Sequence, residues 1–347
     1  MRARFAALAI VSLLAACGEQ QNAGGAQGAS SALGRCGSDA FAQRMCADPK
    51  LGELDQSVRQ ALVAEAASVS DAGAQLLAQS QSRWLEAQRV ACGVIDPDAQ
   101  LTADQNSCIE SKLRERAAEA QTAVQEIGGY VFQRVEMVNA QPVTAQAAAD
   151  SGLGDAAPAA IVRDIRYPRI DGASTPQAQR FNQLVAQQPQ YRLEDQTDEA
   201  VSYEIVYAGP ALISVRFNVY ENTLGAAHPN NSYRAVTVLM SGEGRPIQAG
   251  DVFRSGSGWE DFITQRSIAA ITRQFREYEF QPPPQDVRES ATKPHLWLIG
   301  QDGLTILFPP YSFGGPHALG GAEVLIPWSD LRPYLNPAAP APIRAGA

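Results

Sequence analysis

The sequence has no surplus of basic residues: 28 Lys plus Arg stand against 37 Asp plus Glu, for a net charge of −9. Neutralising nucleic-acid phosphates requires a positive surface, so no nucleic-acid partner is expected. Long apolar runs are also missing. The one candidate, residues 5–14, is half the length of the about 20 residues that a membrane-spanning helix needs, which excludes a polytopic membrane protein. Histidine is scarce, with three in 347 residues, and no Cys-x-x-Cys pair occurs, so a zinc site has little to draw on. Five cysteines in a chain of this length exclude a disulfide miniprotein. What is present is 45% hydrophobic and 19% charged, enough for a real core, and the length suits two domains of about 100–200 residues each.

The first residues indicate a compartment. Met1-Arg-Ala-Arg4 is basic and residues 5–14 are apolar, the two leading parts of a signal peptide. The run closes on Leu14-Ala15-Ala16-Cys17, which resembles the bacterial lipobox. That resemblance implies cleavage after residue 16 and a diacylglyceryl group on the Cys17 thiol. Two acyl chains plus an N-terminal acyl group anchor stably, where one chain binds only marginally. Gly18, rather than Asp, follows the cysteine, which implies the outer membrane of a two-membrane bacterium, facing the periplasm. Cleavage leaves 26 basic against 37 acidic residues, a net charge of −11.

Four further cysteines, Cys36, Cys46, Cys92 and Cys108, are an even number in an exported chain and read as two disulfides. No histidine lies among them to favour zinc. Residues 17–35 are Gly, Ala, Gln and Ser with almost no large apolar side chains, a disordered tether. Residues 36–128 read as three helices packed up-down-up. Asp48-Pro49 is an N-cap followed by proline at the first helical position, and Leu51, Leu54, Val58 and Leu62 follow on one face. A second helix runs from about Ala74 to Ala91. Thr102-Ala-Asp-Gln105 has the form of a capping box, Ile109, Leu113, Val124 and Ile127 continue the stripe behind it, and Gly128-Gly129 is expected to end the helix. Cys46, Cys92 and Cys108 then share one end of the bundle, within reach of Cys36. The sequence leaves the pairing open; helix end facing helix start favours Cys46–Cys92 with Cys36–Cys108.

Residues 129–160, rich in small residues from Asn139 onward, are expected to be a linker, and residues 337–347 a disordered tail. Between them, residues 161–336 read as α+β. Residues 201–207 alternate, residues 211–220 are β-branched and aromatic, and Gly209-Pro210 between them marks a hairpin. A strand over 233–240, an amphipathic helix over 259–275, a hairpin turning on Asp302-Gly303 and a strand over 322–326 complete the region. The expected fold is multidomain: a disulfide-stapled three-helix N-terminal bundle and an α+β C-terminal domain with an antiparallel sheet, folding independently.

The order Cys36, Cys46-Ala-Asp-Pro-Lys-Leu, Leu54-Asp55, Gln81-Ser-Arg-Trp84-Leu, Cys92 and Cys108 resembles the LprI-type lysozyme-inhibitor domain. It departs from that pattern at Gln88, where an arginine is usual, and at Arg59 and Leu62, which replace an asparagine and a tyrosine. In the second region Tyr167-Pro168, Phe181-Asn182, Gly225-Ala-Ala-His-Pro229, Asp302-Gly-Leu-Thr305, Phe308-Pro-Pro-Tyr311 and Val324-Leu-Ile-Pro-Trp328 stand in order. They resemble the extracellular domain of unknown function of RsiV-type anti-sigma factors and PdaC-type deacetylases. In the RsiV branch that domain is a lysozyme receptor, and beside the deacetylase it is an accessory module. Pro316-His317 replaces an aromatic-small pair.

Catalytic constellations are weak. Ser290-Ala-Thr-Lys293 fits the Ser-x-x-Lys pattern of penicillin-recognising enzymes, but Pro294 ends any helix there and the partner motifs are missing. His228, His295 and His317 lack any zinc spacing, and Trp84, Trp259, Trp297 and Trp328 read as core anchors. No catalytic residue, metal or cofactor is expected. The expectation is a non-catalytic, lipid-anchored envelope protein that binds or inhibits lysozyme; the alternative is a structural or peptidoglycan-associated module without lysozyme affinity, and a glycan-acting enzyme is a remote third reading. Cys17→Ser should move the protein from the membrane to the soluble fraction. Unchanged fractionation with unchanged mass would defeat the lipid assignment.

Overall fold

The computed structural model describes residues 28, 32–187 and 196–346. The signal peptide, Cys17 and most of the tether lie outside these residues. Among the described residues no helix is long and apolar enough to cross a membrane.

The helical region opens with α1 (Ala40–Ala47), followed by α2 (Pro49–Ala66), α3 (Asp71–Ala91) and α4 (Ala103–Ala120). The expected caps are in place. Asp48 Oδ1 accepts from the Lys50 and Leu51 amides, both at 2.9 Å, and Thr102 and Gln105 form a reciprocal capping box. Leu51, Val58, Leu62, Leu77, Ile109 and Leu113 meet in one buried cluster.

The disulfides join Cys36 to Cys46 and Cys92 to Cys108, correcting the pairing of Cys46 with Cys92. The reason is α1, a short helix that the sequence reading did not resolve. It folds back so that Cys36 Sγ lies 3.1 Å from the Ala42 carbonyl, beside Cys46. Cys92 caps the end of α3, and the turn that follows carries the chain straight to Cys108 in α4. Both bonds therefore close short loops, spanning 10 and 16 positions.

Helix α4 ends at Ala120, and the apolar positions Val124 and Ile127 belong to a strand rather than to its last turns. Strand β1 (Val124–Ile127) pairs antiparallel with β2 (Tyr130–Pro142), Ile127 opposite Tyr130. Gly128 and Gly129 are the two-residue turn between them, with φ of 61° and 81°. Two positive φ values in succession are the requirement of a type I′ hairpin, which glycine meets without strain. The region expected to be a linker thus contains a 13-residue strand, followed by α5 (Ala145–Asp150) and β3 (Ala160–Ile170).

Helix α6 (Pro176–Ala186) crosses from β3 to β4 (Thr197–Ala208), and β5 (Leu212–Thr223), β6 (Asn230–Leu239) and β7 (Arg245–Pro246) follow. Strands β1 to β7 form one sheet in sequence order. Every neighbouring pair is antiparallel except β3 and β4, which run parallel because α6 carries the chain back. Helix α6 covers one face, where Phe181 and Val185 pack on Phe132, Ile165, Val215 and Val238.

The chain then forms a second lobe: α7 (Ala249–Val252), α8 (Trp259–Gln274), α9 (Pro284–Ala291), a sheet of β8 (Trp297–Ile299), β9 (Gly303–Phe308) and β10 (Ala322–Pro327), and α10 (Trp328–Leu331). Trp259, Trp297 and Trp328 are in its core, as expected. The indole N–H groups of Trp297 and Trp328 donate to the Ala291 and Gly300 carbonyls at 2.6 and 3.1 Å, so their burial leaves no polar group unpaired. Ala339 and Ile343 are completely buried in the same core, so the terminal segment is packed rather than a disordered tail.

The helical region and the sheet are welded together. Val138 of β2 completes the helical core. Beside it, Arg116 of α4 donates to Glu136 of β2 through Nη1 and Nη2 at 2.8 and 2.7 Å, with side chains 1% and 3% exposed. Arg116 Nε donates to Gln81 Oε1 at 2.9 Å, and its guanidinium lies 5.2 Å from the Trp84 ring centre. Arg134 Nε gives Glu136 a further bond at 2.6 Å. At the start of α3 the Ser70 hydroxyl donates to Asp171 Oδ1 at 2.7 Å. The stretch expected to be a flexible linker is therefore a strand packed against the helices, and the helical and α+β regions share an interface.

Burial alone would raise the Glu136 carboxyl, but Arg116 and Arg134 more than offset it and hold it at about 2, against an ordinary 4.5. A carboxylate that ionises more readily when folded stabilises fully above pH 4.5, and its contribution is lost as pH falls towards 2. Glu136→Leu, which strands Arg116 without its partner, should cost about 3–5 kcal/mol in urea unfolding at pH 7. Adding Arg116→Met should recover much of that loss, and both variants, lacking the carboxyl, should show a flatter acid limb than the wild type between pH 4.5 and 2. Equal stability of the wild type and Glu136→Leu would show that the pair does not hold the two regions together.

Candidate functional site: a cleft between two lobes

The face of the large sheet opposite α6 carries two covers with a gap between them. The helical region covers β1 to β3 at one side, through Val138 and Glu136. The second lobe covers the far side: Leu212 and Leu239 join its core, and the Ile299 amide donates to Ser214 Oγ at 3.0 Å. The residues of β4 and β5 between these covers remain open. Side chains alternate along a strand, so strand register shows which of them share the open face. One row reads Asp164, Ala200, Tyr220, Asn231 across β3 to β6, and Ser202, Asn218 and Tyr233 follow in the next.

These residues line a cleft in two segments. One, of about 210 Å³, is bordered by Arg166, Ser202, Asn218, Tyr220, Asn231 and Tyr233. The other, of about 320 Å³, continues past Arg166 and Ser202 to Glu204, Arg134 and Gln125. Ala200, Ser202, Glu204, Tyr220 and Asn231 are exposed.

The cations along the walls are held by carboxylates of the protein itself. Arg166 donates to Asp164 at 2.9 and 2.6 Å and to Glu119 of α4 at 2.9 Å. Burial opposes the Arg166 charge, but these two carboxylates outweigh it and keep the guanidinium firmly protonated. Arg216 reaches across to Glu323 of β10 with two bonds of 2.9 and 2.5 Å, and its guanidinium lies 5.1 Å from the Tyr233 ring centre. Arg134 is paired with Glu136. Burial pushes the Tyr203 phenol up to about 12, so it stays neutral. The groups left facing the segment at Tyr220 are hydroxyls, amides and phenols, while the exposed carboxylate of Glu204 faces the other segment.

The residues singled out in the sequence lie elsewhere. Cys36, Cys46, Cys92 and Cys108 staple the helical region. Gln81 and Trp84 hold Arg116, and Asp55 is buried against Arg59, which donates to it at 2.6 Å. Burial raises the Asp55 carboxyl, and Arg59 only partly offsets this. A separate cavity of about 480 Å³ in the helical region is bordered by Leu33, Arg35, Asp55, Arg59, Gln81 and Leu85. Ser290 is buried with its hydroxyl donating to the Ser312 carbonyl at 2.7 Å, while Lys293 lies exposed beyond the end of α9.

His228 and His317, far apart in sequence, are brought together with ring centres 4.0 Å apart and planes at 18°. Stacked imidazoles aim their nitrogen lone pairs in parallel planes, which does not converge on a metal ion. Among the described residues no group of three or more His, Cys, Asp or Glu is arranged to hold one. The cleft residues Ser202, Asn218, Tyr220 and Asn231 were not picked out from the sequence. Their signal was the strand alternation itself, which names a polar face without saying which stretch of it stays uncovered.

The second lobe is the part of the chain with a recognisable family. Residues 250–329 match the family described as a protein of unknown function, DUF3298. They form a DUF3298 domain. It supplies the wall of the cleft that carries Glu323. A crystal structure of a DUF3298 family member from Bacteroides fragilis NCTC 9343 is similar at 14% identity and a TM-score of 0.42, covering 64% of this chain and 98% of that one. A second, from Pseudomonas aeruginosa PAO1, is similar at 12% identity and a TM-score of 0.42, covering 60% and 95%. No curated protein matches the chain.

Proposed function

We propose that the chain is a lipid-anchored binding protein of the cell envelope that holds a peptidoglycan-associated partner in the cleft between its helical region and its DUF3298 domain, without turning it over. The observation that supports this reading is the cleft itself, an open channel whose wall cations are engaged by the protein's own carboxylates. Such a lining offers hydrogen bonds and ring faces along a line, which suits an extended polar chain. The anchor proposed at Cys17 and the two disulfides, bonds that persist in oxidising compartments, support a cleft on the side of the membrane where the cell-wall polymer lies.

A second reading, lysozyme binding or inhibition, is favoured by charge. Residues 36–128 hold 14 acidic and 8 basic residues, and an acidic surface steers encounter with a cationic protein. The resemblance of the Cys36 to Cys108 pattern to the LprI-type domain points the same way.

Incubating the lipid-free chain, from Gly18 onward, with purified sacculi and with lysozyme separates the readings. Co-sedimentation with sacculi and no effect on lysozyme-driven lysis is the expected outcome. Slowed lysis without co-sedimentation would replace the leading reading with the second. Glycan hydrolysis or deacetylation by the chain would overturn both.

A further inference from the structure

The geometry points to a ligand of definite chemistry for the cleft: an uncharged glycan strand bearing acetamido groups, laid across β4, β5 and β6 with a sugar ring on Tyr220. This deepens the peptidoglycan reading above and rests on it.

Charge comes first. A site for a polyanion keeps cations free to meet it, and a site for a cationic peptide keeps carboxylates free. Around the segment at Tyr220 the wall charges are paired within the protein, Arg166 with Asp164 and Glu119, and Arg216 with Glu323, and the exposed carboxylate of Glu204 borders the other segment. A charged ligand would have to compete with those bonds, whereas a neutral polyol would not.

Next are the donors and acceptors. Asn218 Oδ1 accepts from Arg216 Nε at 2.8 Å, which fixes the orientation of the amide. Its Nδ2 therefore points the other way, 3.5 Å from Ser202 Oγ. The two present a pair of donors on the open floor, one strand apart, suited to a carbonyl or hydroxyl oxygen. Asn231, exposed in the next row, adds a further donor and acceptor.

The rings complete the arrangement. Tyr233 is held between two neighbours: the Arg216 guanidinium lies 5.1 Å from its centre, and Gly321 packs so closely that a Cβ there would meet Tyr233 Cε2 at 2.5 Å. Its ring is thus already engaged within the protein. Tyr220, on the adjacent strand and opposite Asn231, is 40% exposed and serves as the platform. An aromatic face with amides beside it matches a sugar ring, whose C–H faces are apolar and whose rim is hydroxylated. From β4 to β6 the floor is about 10 Å wide, so about two sugars of the strand lie across it.

The test titrates tetra-N-acetylchitotetraose into the lipid-free chain by calorimetry, with cellotetraose as the sugar lacking acetamido groups. Saturable binding of the first, at least tenfold tighter than of the second, is expected. Tyr220→Ala should weaken it tenfold or more, as should the double change Asn218→Ala/Asn231→Ala. Tyr278→Ala, which removes an exposed tyrosine outside the cleft, should leave it unchanged. Circular dichroism of each variant confirms that it is folded. If the sugar binds but Tyr220→Ala and the double variant bind as the wild type does, the ligand lies elsewhere and the inference fails. Equal binding of both sugars overturns the acetamido assignment. Absence of binding while the chain still co-sediments with sacculi overturns the inference and leaves the broader reading standing, whereas absence of both removes the two together. Loss of lysozyme binding in Tyr220→Ala, with no sugar bound by the wild type, would make the cleft a protein-docking surface and overturn the glycan.

Discussion

The contact on which the architecture depends is the buried pair of Arg116 and Glu136. Two charges taken out of water are costly, and they persist here because every side of the pair is satisfied: two bonds between them, Gln81 on Nε, Trp84 beneath the guanidinium, and Arg134 on the carboxylate. The partners come from α3, α4 and β2, so the pair forms only when the helices lie in one register on the sheet. Apolar packing around Val138 supplies the attraction, and the ion pair supplies the alignment. The same alignment brings Glu119, one turn beyond Arg116, to Arg166 at the edge of the cleft.

The cleft follows from strand order. The helices precede β1 and the DUF3298 domain follows β7, so each cover settles on its own end of the sheet. Of the helices inserted between the strands, α6 makes the crossover from β3 to β4 and lies on the opposite face. Among the described residues no segment closes the strip over β4 and β5. Its polar residues therefore face solvent between two walls, and the arginines of those walls are held by carboxylates drawn from different elements. Arg166 of β3 uses Glu119 of α4, and Arg216 of β5 uses Glu323 of β10. Each lobe thus fixes one wall of the site, and neither makes the cleft without the other.

Local chemistry was legible where a few neighbouring residues decide the outcome. Asp48-Pro49 and Thr102 with Gln105 begin helices, Gly209-Pro210 and Asp302-Gly303 turn hairpins, and the tryptophans are buried. Ambiguity arose where one pattern serves two structures. Val124 and Ile127 continue a helical stripe, yet both are β-branched and suit a strand as well, and Gly128-Gly129 ends a helix or turns a hairpin with equal ease. The hairpin prevails because β2 offers β1 a partner, and that partner lay in a stretch whose small residues had suggested a linker. Ala339 and Ile343 lie in a segment that looks solvated by composition, and they are buried because the second lobe provides a place for them.

The sequence by itself determined the even set of four cysteines, the helical first third, the alternating strands and the family of residues 250–329, because each is written in contiguous residues or in fixed short spacings. Tertiary structure alone decided which cysteines meet, that β2 packs against the helices, and where the open cleft lies. Those outcomes depend on distances between residues far apart in the chain, and on which face of a strand another element happens to cover. Period-two alternation marks the polar side of β4 and β5. Only the packing of the two lobes leaves part of that side bare.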